Sequence, residues 1–440
     1  MRSSITVLLS TSLLAACGGQ RPSQVTPADI PDLEARLARE PDNPALRVRY
    51  AAALFADNRC DQATTEARRA QQQRPADAVA WLVIGQCAEK AERFEEALTG
   101  YRAFLAQHAE ARGASAVRAR EQLALRAYSN QRARLALQNE AQLSAQAADP
   151  NTIAVLPLTI ASPDTSYQAL SLGLAQMITS DLSLIQRFRL VERLQLSALL
   201  GELQLGQTER VDPGTVARVG RMVQASRMVQ GLATIPPEGE IRLEASVVQG
   251  TGEVTAPEAV MGRFRDLLRL EKDLIVALSA RLGYQLSEAE RRMILENGTQ
   301  NLTAFLAYSR GLLAEDAGDF QRAAAYFSDA VRADPGFQAA QEQYQSASVT
   351  EEVQQAAPDQ AAETPPPPAP DAGADAGTGG QINASSQELA GTTSEKTAAP
   401  ANTPPPAVNP PPGAAPPPTP NILGTPSTST GTIRIVFRLP

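Results

Sequence analysis

The chain runs to 440 residues, room for two or three domains, and its formal net charge of −8 argues against a general nucleic-acid surface. One histidine, His108, removes most His-based catalytic constellations and His-rich metal sites. Three cysteines divide into Cys17 near the start and one pair, Cys60 and Cys87.

The first segment has the order of a secretory signal. Arg2 supplies positive charge, Ile5 to Leu13 an apolar run too short to span a membrane as a helix, and Leu14-Ala15-Ala16-Cys17-Gly18-Gly19 a small-residue cleavage site. Leu-Ala-Ala-Cys resembles the lipobox of bacterial lipoproteins. That resemblance makes residues 1–16 a lipoprotein signal peptide and Cys17 the residue whose thiol receives a diacylglyceryl group. Gly18 stands where an Asp would favour inner-membrane retention, so the family rule points to the outer membrane, with the protein facing the periplasm. The alternative is an ordinary secreted protein with a chance cysteine.

Residues 28–110 repeat. A unit starting at Pro44 places Ala51 at the small position of the first helix, Ala63 and Ala70 on the second helix and Pro75 at the closing turn, and a second unit starts at Ala78. Trp81-x-x-Ile84-Gly85, with Phe94, Ala97 and Tyr101, resembles the tetratricopeptide repeat, a helix pair of about 34 residues with small side chains where the helices cross. Cys60 falls near the start of one repeat's second helix and Cys87 near the end of the next repeat's first helix, so both meet at one end of the stack. In an oxidising periplasm they are expected to pair as a disulfide; two buried packing thiols are the alternative. Inner positions Val48, Ala52, Phe55, Leu82, Gln86 and Glu89 form the candidate protein-binding groove. They lack the Lys/Asn set that clamps a peptide carboxylate in many family members, so the expected ligand is an apolar or helical protein segment.

Residues 111–148 read as a long polar helix, a cap on the repeats followed by a spacer, without a strict heptad. Residues 151–296 change character. Ile153-Ala154-Val155-Leu156-Pro157-Leu158 is a buried strand, followed by a helix through Leu170, Leu174, Ile178 and Leu182. Phe188–Val191 is a second strand and Arg193–Leu203 a second helix. Asp212-Pro213 opens a third helix, since Asp caps and Pro fits the first turn. Met228–Ala233 and Ile241–Val248 form a hairpin through Pro236-Pro237-Glu238-Gly239; Glu253–Met261 is a further strand weakened by Pro257, and a long amphipathic helix runs from Phe264 to Leu282. This is a mixed α/β sandwich.

Residues 301–340 repeat the helix-pair pattern once more, with Gly311, Phe320, Ala323, Phe327, Ala330 and Pro335. One such pair cannot bury both faces and must stack on the middle domain, the N-terminal repeats or another protein. Residues 351–430, rich in Pro, Ala, Gly, Ser and Thr, are expected to be disordered. Residues 431–440 end in a period-two pattern, Ile433, Ile435, Phe437 and Leu439 alternating with Arg434, Val436 and Arg438, which reads as a strand able to add to a sheet edge. The expected architecture is therefore α + α/β: N-terminal helical repeats, a central α/β domain, one further repeat and a disordered Pro/Ala-rich tail.

The middle domain carries a second resemblance. Ile153-Ala154-Val155-Leu156-Pro157, Gly173-Leu174-Ala175, Thr179-Ser180-Asp181-Leu182, Val191-Glu192-Arg193, Val229-x-Gly231 and Thr251-Gly252-Glu253 follow the order of the CsgG family. Its namesake is the lipoprotein channel of curli secretion, and relatives serve holdfast and flagellar functions in the outer membrane. Channel members insert spanning hairpins, whose strands need about 9–11 alternating residues. No such stretch interrupts this domain, so the resemblance implies the soluble periplasmic portion without a pore.

No Gly-x-Ser-x-Gly, Walker loop or dinucleotide fingerprint occurs in a strand-to-helix setting, and no catalytic residue, metal site or cofactor is expected. Gly250-Thr251-Gly252 reads as a turn, and Glu192-Arg193 as a structural pair. The leading expectation is a non-enzymatic outer-membrane lipoprotein scaffold. Its repeats bind proteins, its CsgG-like domain assembles with an envelope or secretion machine, and its lipid holds it at the membrane; a homo-oligomer is compatible with this, nucleic acid is not a partner. The alternative is a ring-forming component of a curli-like fibre or polysaccharide secretion apparatus. A third reading is an α/β enzyme or ligand sensor.

Overall fold

Where the helices begin is written in their first residues. The computed structural model describes residues 25–205 and 212–370. Helix α1 (Ile30–Arg39) precedes α2 (Pro44–Ala56), whose cap Asn43 accepts from the Leu46 N–H at 3.2 Å while Pro44 occupies the first turn. Helices α3 (Cys60–Gln73), α4 (Ala78–Lys90) and α5 (Phe94–His108) follow. Helix α6 (Ala114–Gln138) is the longest of the described helices, and α7 (Glu140–Ala145) leads into the sheet.

The sheet begins with β1 (Asp149–Val155), which continues past Pro157 as β2 (Thr159–Ala161). Then come α8 (Leu170–Ser183), β3 (Arg189–Leu190), α9 (Arg193–Glu202), α10 (Pro213–Met222), β4 (Ala225–Thr234), β5 (Ile241–Gln249), β6 (Glu258–Gly262), α11 (Leu267–Arg281) and α12 (Glu288–Glu296). Strand order is β3-β1-β4-β5-β6, with β2 also paired to β4. β3, β1 and β4 run parallel, and β4-β5-β6 is an antiparallel meander, with Met228 opposite Val248 and Leu243 opposite Val260. Period-two alternation divides β1 between two cores: Ile153 and Val155 face α8 and α11, while Ala154 and Leu156 face α9 and α10. The expected cap at α10 is present, Asp212 accepting from the Thr215 N–H at 2.7 Å. Both arms of the β4–β5 hairpin belong to this sheet, and Thr251-Gly252 lies in the turn between β5 and β6.

The chain then returns to helices: α13 (Leu302–Asp316), α14 (Phe320–Ala333), α15 (Gln338–Gln355) and α16 (Pro358–Glu363). Three helix pairs, α2–α3, α4–α5 and α13–α14, share one corner. Each has a three-residue link whose middle residue is left-handed: Asn58 at φ 57°, Glu92 at φ 56° and Gly318 at φ 79°. The residue after it donates its N–H to the carbonyl five positions back, Arg59 to Leu54, Arg93 to Ala88 and Asp319 to Ala314. Gly85 and Gly311 occupy one place in their pairs, where an added Cβ would lie 2.3 Å from the Tyr101 ring and 2.4 Å from the Phe327 ring. Cys60 and Cys87 are disulfide-bonded with Cα atoms 5.4 Å apart, tying α3 to α4.

Two expectations are corrected here. Residues 111–148 are not an isolated spacer: α6 packs on α5, on α9 and on α15, so it joins the N-terminal helices to the α/β layer and to the last helices. Residues 351–370 are not a structureless start to the tail. Helix α15 continues to Gln355 and α16 covers Pro358–Glu363, with Val353, Ala361 and Ala362 buried. The last helix pair stacks on the α/β layer through α8 and on α6 through α15. Cys17, residues 371–430 and the strand-like 431–440 lie outside the described residues. Among the described residues no helix is long and apolar enough to cross a membrane.

Candidate functional site

The inner face of α2 and α4 is where the sequence places a groove, and the structure lays the chain's own α15 and α16 along it. Ala78 and Leu82 of α4 share a core with Val349, Val353, Ala361 and Ala362. The Val25 N–H donates to Asp359 at 3.1 Å, and Arg112 forms an ion pair with Glu363. Helix α16 covers this face with small side chains, so it does not fill it. A cleft of about 930 Å³ remains, floored by Val48, Ala52 and Val79 and walled by residues of α15, α16 and the chain as far as Pro365. Four carboxylates line it, Glu351, Glu352, Asp359 and Glu363, against the single guanidinium of Arg49.

The six expected groove residues therefore part company. Val48 and Ala52 reach the cleft. Leu82 is buried beneath the C-terminal helices, and Phe55 carries the Lys90 ammonium 4.0 Å above its ring. Gln86 is buried, its Nε2 without a hydrogen-bond partner. Glu89 is withdrawn from any ligand: it accepts from the Tyr101 hydroxyl at 2.6 Å and pairs with Arg120. Burial, with the Glu89 charge adding, holds the Tyr101 hydroxyl far above the usual tyrosine range, so it donates and does not ionise. The acidic wall was missed because residues 351–363 read as tail by composition.

Two polar joints fix the α/β layer. Arg193, at the start of α9, pairs with Glu315 at 2.8 Å and with Asp316, both on α13; Glu192 reaches Arg102 at 3.2 Å. The Glu192-Arg193 pair is thus structural, one half facing each helical arm. Inside the layer, Lys272 Nζ lies 2.7 and 2.8 Å from the Asp181 oxygens, and the Asn297 amide donates to Asp181 at 2.8 Å. Glu271 is fully buried beside them, 3.6 Å from Nζ, with neither oxygen hydrogen-bonded. Burial, and next the Asp181 charge, push its carboxyl well above the usual range. The same burial favours the protonated form of Glu271 beside the Lys272–Asp181 ion pair.

One side of each joint lies within a stretch that has relatives. Residues 134–235 match the family described as curli production assembly/transport component CsgG. The CsgG-like region runs from the end of α6 to the turn after β4, and so contains Asp181 and Arg193. No curated protein matches the chain. Among solved structures it is similar to the LpoB C-terminal domain from Salmonella enterica, at 16% identity over 29% of this chain and 92% of that one, with a TM-score of 0.22.

Proposed function

We propose that this chain is a non-enzymatic envelope scaffold. In this reading Cys17 carries lipid at the outer membrane, the body faces the periplasm, and the CsgG-like region docks onto an envelope or secretion machine. The helical arms, read as tetratricopeptide repeats, hold one segment of a partner protein. The observation that carries it is the cleft between α2/α4 and α15/α16, an apolar floor beside four carboxylates. Such a site suits an amphipathic segment with apolar and basic side chains, because burial supplies affinity and charge supplies selection.

A second reading, a ring-forming component of a curli-like fibre or polysaccharide secretion apparatus, is favoured by the family match over residues 134–235. Mass photometry of the full-length protein separates the two. One or a few copies per particle supports the scaffold; a large particle of fixed high copy number supports the ring. The scaffold reading also expects no reproducible ion conductance from the purified protein in planar bilayers; in support, both arms of the β4–β5 hairpin pair within the domain's own sheet.

A further inference from the structure

The acidic cleft lies close to the point where the described chain ends, for its last lining residue is Pro365. Its carboxylates are unequally committed. Asp359 accepts from the Val25 N–H, Glu363 pairs with Arg112, and Glu351 accepts from the Gln321 amide at 2.9 Å. Of the four, only Glu363 has an ion-pair partner among the described residues. Glu351 and Glu352 are exposed, so the wall offers negative charge in reach of whatever lies on the apolar floor.

The same chain carries a segment with the complementary chemistry. Thr432-Ile433-Arg434-Ile435-Val436-Phe437-Arg438-Leu439 holds two arginines and no acid, and Phe437 is the one aromatic residue after Tyr344. No ionisable side chain lies between Lys396 and Arg434, so this basic and apolar character is concentrated in the last few residues. Ile433, Ile435, Phe437 and Leu439 alternate with Arg434 and Arg438, so in an extended segment one side is apolar and the other basic. Residues 371–431 join it to the described body. At about 3.3 Å per extended residue that length is ample for a return to the cleft.

We infer that residues 432–439 occupy the acidic cleft of their own chain, Arg434 and Arg438 toward Glu351 and Glu352 and the apolar side chains on the floor, so that a partner segment must displace them. This rests on the reading of the cleft as a site for an apolar and basic segment. The sheet offers the competing place, the free edge of β6. That edge is five residues long, Arg242 stands opposite its Met261, and exposed Arg263 and Arg265 follow it, so two further arginines would be repelled there. Attachment also favours the cleft. A tethered segment competes at an effective concentration of up to about 1 mM, so even a weak contact keeps the site partly filled and lowers a partner's apparent affinity without abolishing it.

The test uses the full-length protein, hydrogen exchange read by mass spectrometry, and anisotropy of a labelled basic amphipathic peptide of Leu, Ala and Arg. Amides of residues 433–439 should exchange more slowly in wild type than in Arg434→Glu/Arg438→Glu or in Glu351→Lys/Glu352→Lys. Combining the two pairs exchanges the charges and should restore the protection. The peptide should bind Arg434→Glu/Arg438→Glu at least threefold more tightly than wild type. Exchange at 433–439 that neither pair alters overturns the inference. So does protection that grows with protein concentration, which marks a second copy as the occupant, or protection that comes with slowing in β6, which marks the sheet edge. Equal peptide binding to wild type and Arg434→Glu/Arg438→Glu overturns it while leaving the cleft reading standing; binding to neither removes both.

Discussion

Gly173 of α8 and Ser309 of α13 press together so closely that a Cβ on the glycine would stand 1.9 Å from the serine Oγ and 2.7 Å from its Cβ. This is the seam between the CsgG-like region and the last helix pair. Gly173→Val must part the two helices and is expected to cost about 3 kcal/mol, the upper end for overpacking. Adding Ser309→Gly, which removes both clashing atoms, should recover a large part of that loss. Urea unfolding of the two single variants and the double variant measures it; a Gly173→Val midpoint equal to wild type would show the seam is not tight.

The Asp181–Lys272–Glu271 cluster sets a pH dependence whose sign follows from Glu271. Its folded carboxyl titrates well above its ordinary value of 4.5, chiefly through burial. The folded state thus binds a proton that the unfolded state has released. This contribution is fully present below about pH 4.5 and is lost as pH rises through the folded pKa. Burial raises Asp181 in the same direction. Glu271→Gln, which keeps the shape of the protonated acid, should flatten the fall in melting temperature above pH 4.5 and be the more stable protein at pH 8. Parallel melting curves for variant and wild type across that range would remove Glu271 from the account.

The Cys60–Cys87 bridge closes a separation of 27 residues. In the chain-entropy model a loop of this size is worth about 3 kcal/mol. Thiol counting on unfolded, unreduced protein should find neither cysteine free, and reduction should lower the melting temperature. Two free thiols besides Cys17 would contradict the bridge.

Lipid attachment is expected at Cys17, after Leu14-Ala15-Ala16. Radiolabelled palmitate should enter the wild-type protein and not Cys17→Ser. Equal labelling of both would end the lipoprotein reading.

Much of the fold was legible because local rules and tertiary structure agree. Asn43-Pro44 and Asp212-Pro213 announce helix starts, and the alternation through Ile153, Ala154, Val155 and Leu156 announces a strand buried on two faces. The cleft was only half legible. Val48 and Ala52 were placed on it from repeat spacing, but Glu89 fits the same spacing and is consumed by Tyr101 and Arg120, contacts that arise between helices. Helix α16 was invisible for a different reason. Its Ala- and Pro-rich residues resemble the tail that follows, and their burial depends on Ala78 and Leu82, nearly three hundred positions earlier. Asp181 and Lys272 likewise stand 91 positions apart, a pairing that no local pattern encodes.

The scaffold account rests most directly on what the acidic cleft holds. Fluorescence anisotropy of the full-length protein, titrated against a synthetic amphipathic 18-residue peptide of Leu, Ala and Arg, measures this. An analogue with Glu for Arg is the comparison. Glu351 and Glu352 are exposed on the cleft wall, so Glu351→Lys/Glu352→Lys should fold as wild type; Glu202→Lys/Glu240→Lys makes the same charge change at exposed positions outside the cleft. The account predicts that the basic peptide binds, that the first pair of substitutions weakens it at least tenfold, and that the second pair and the acidic analogue leave it respectively unchanged and unbound. Failure of the basic peptide to bind, or equal loss in both variants, would contradict it.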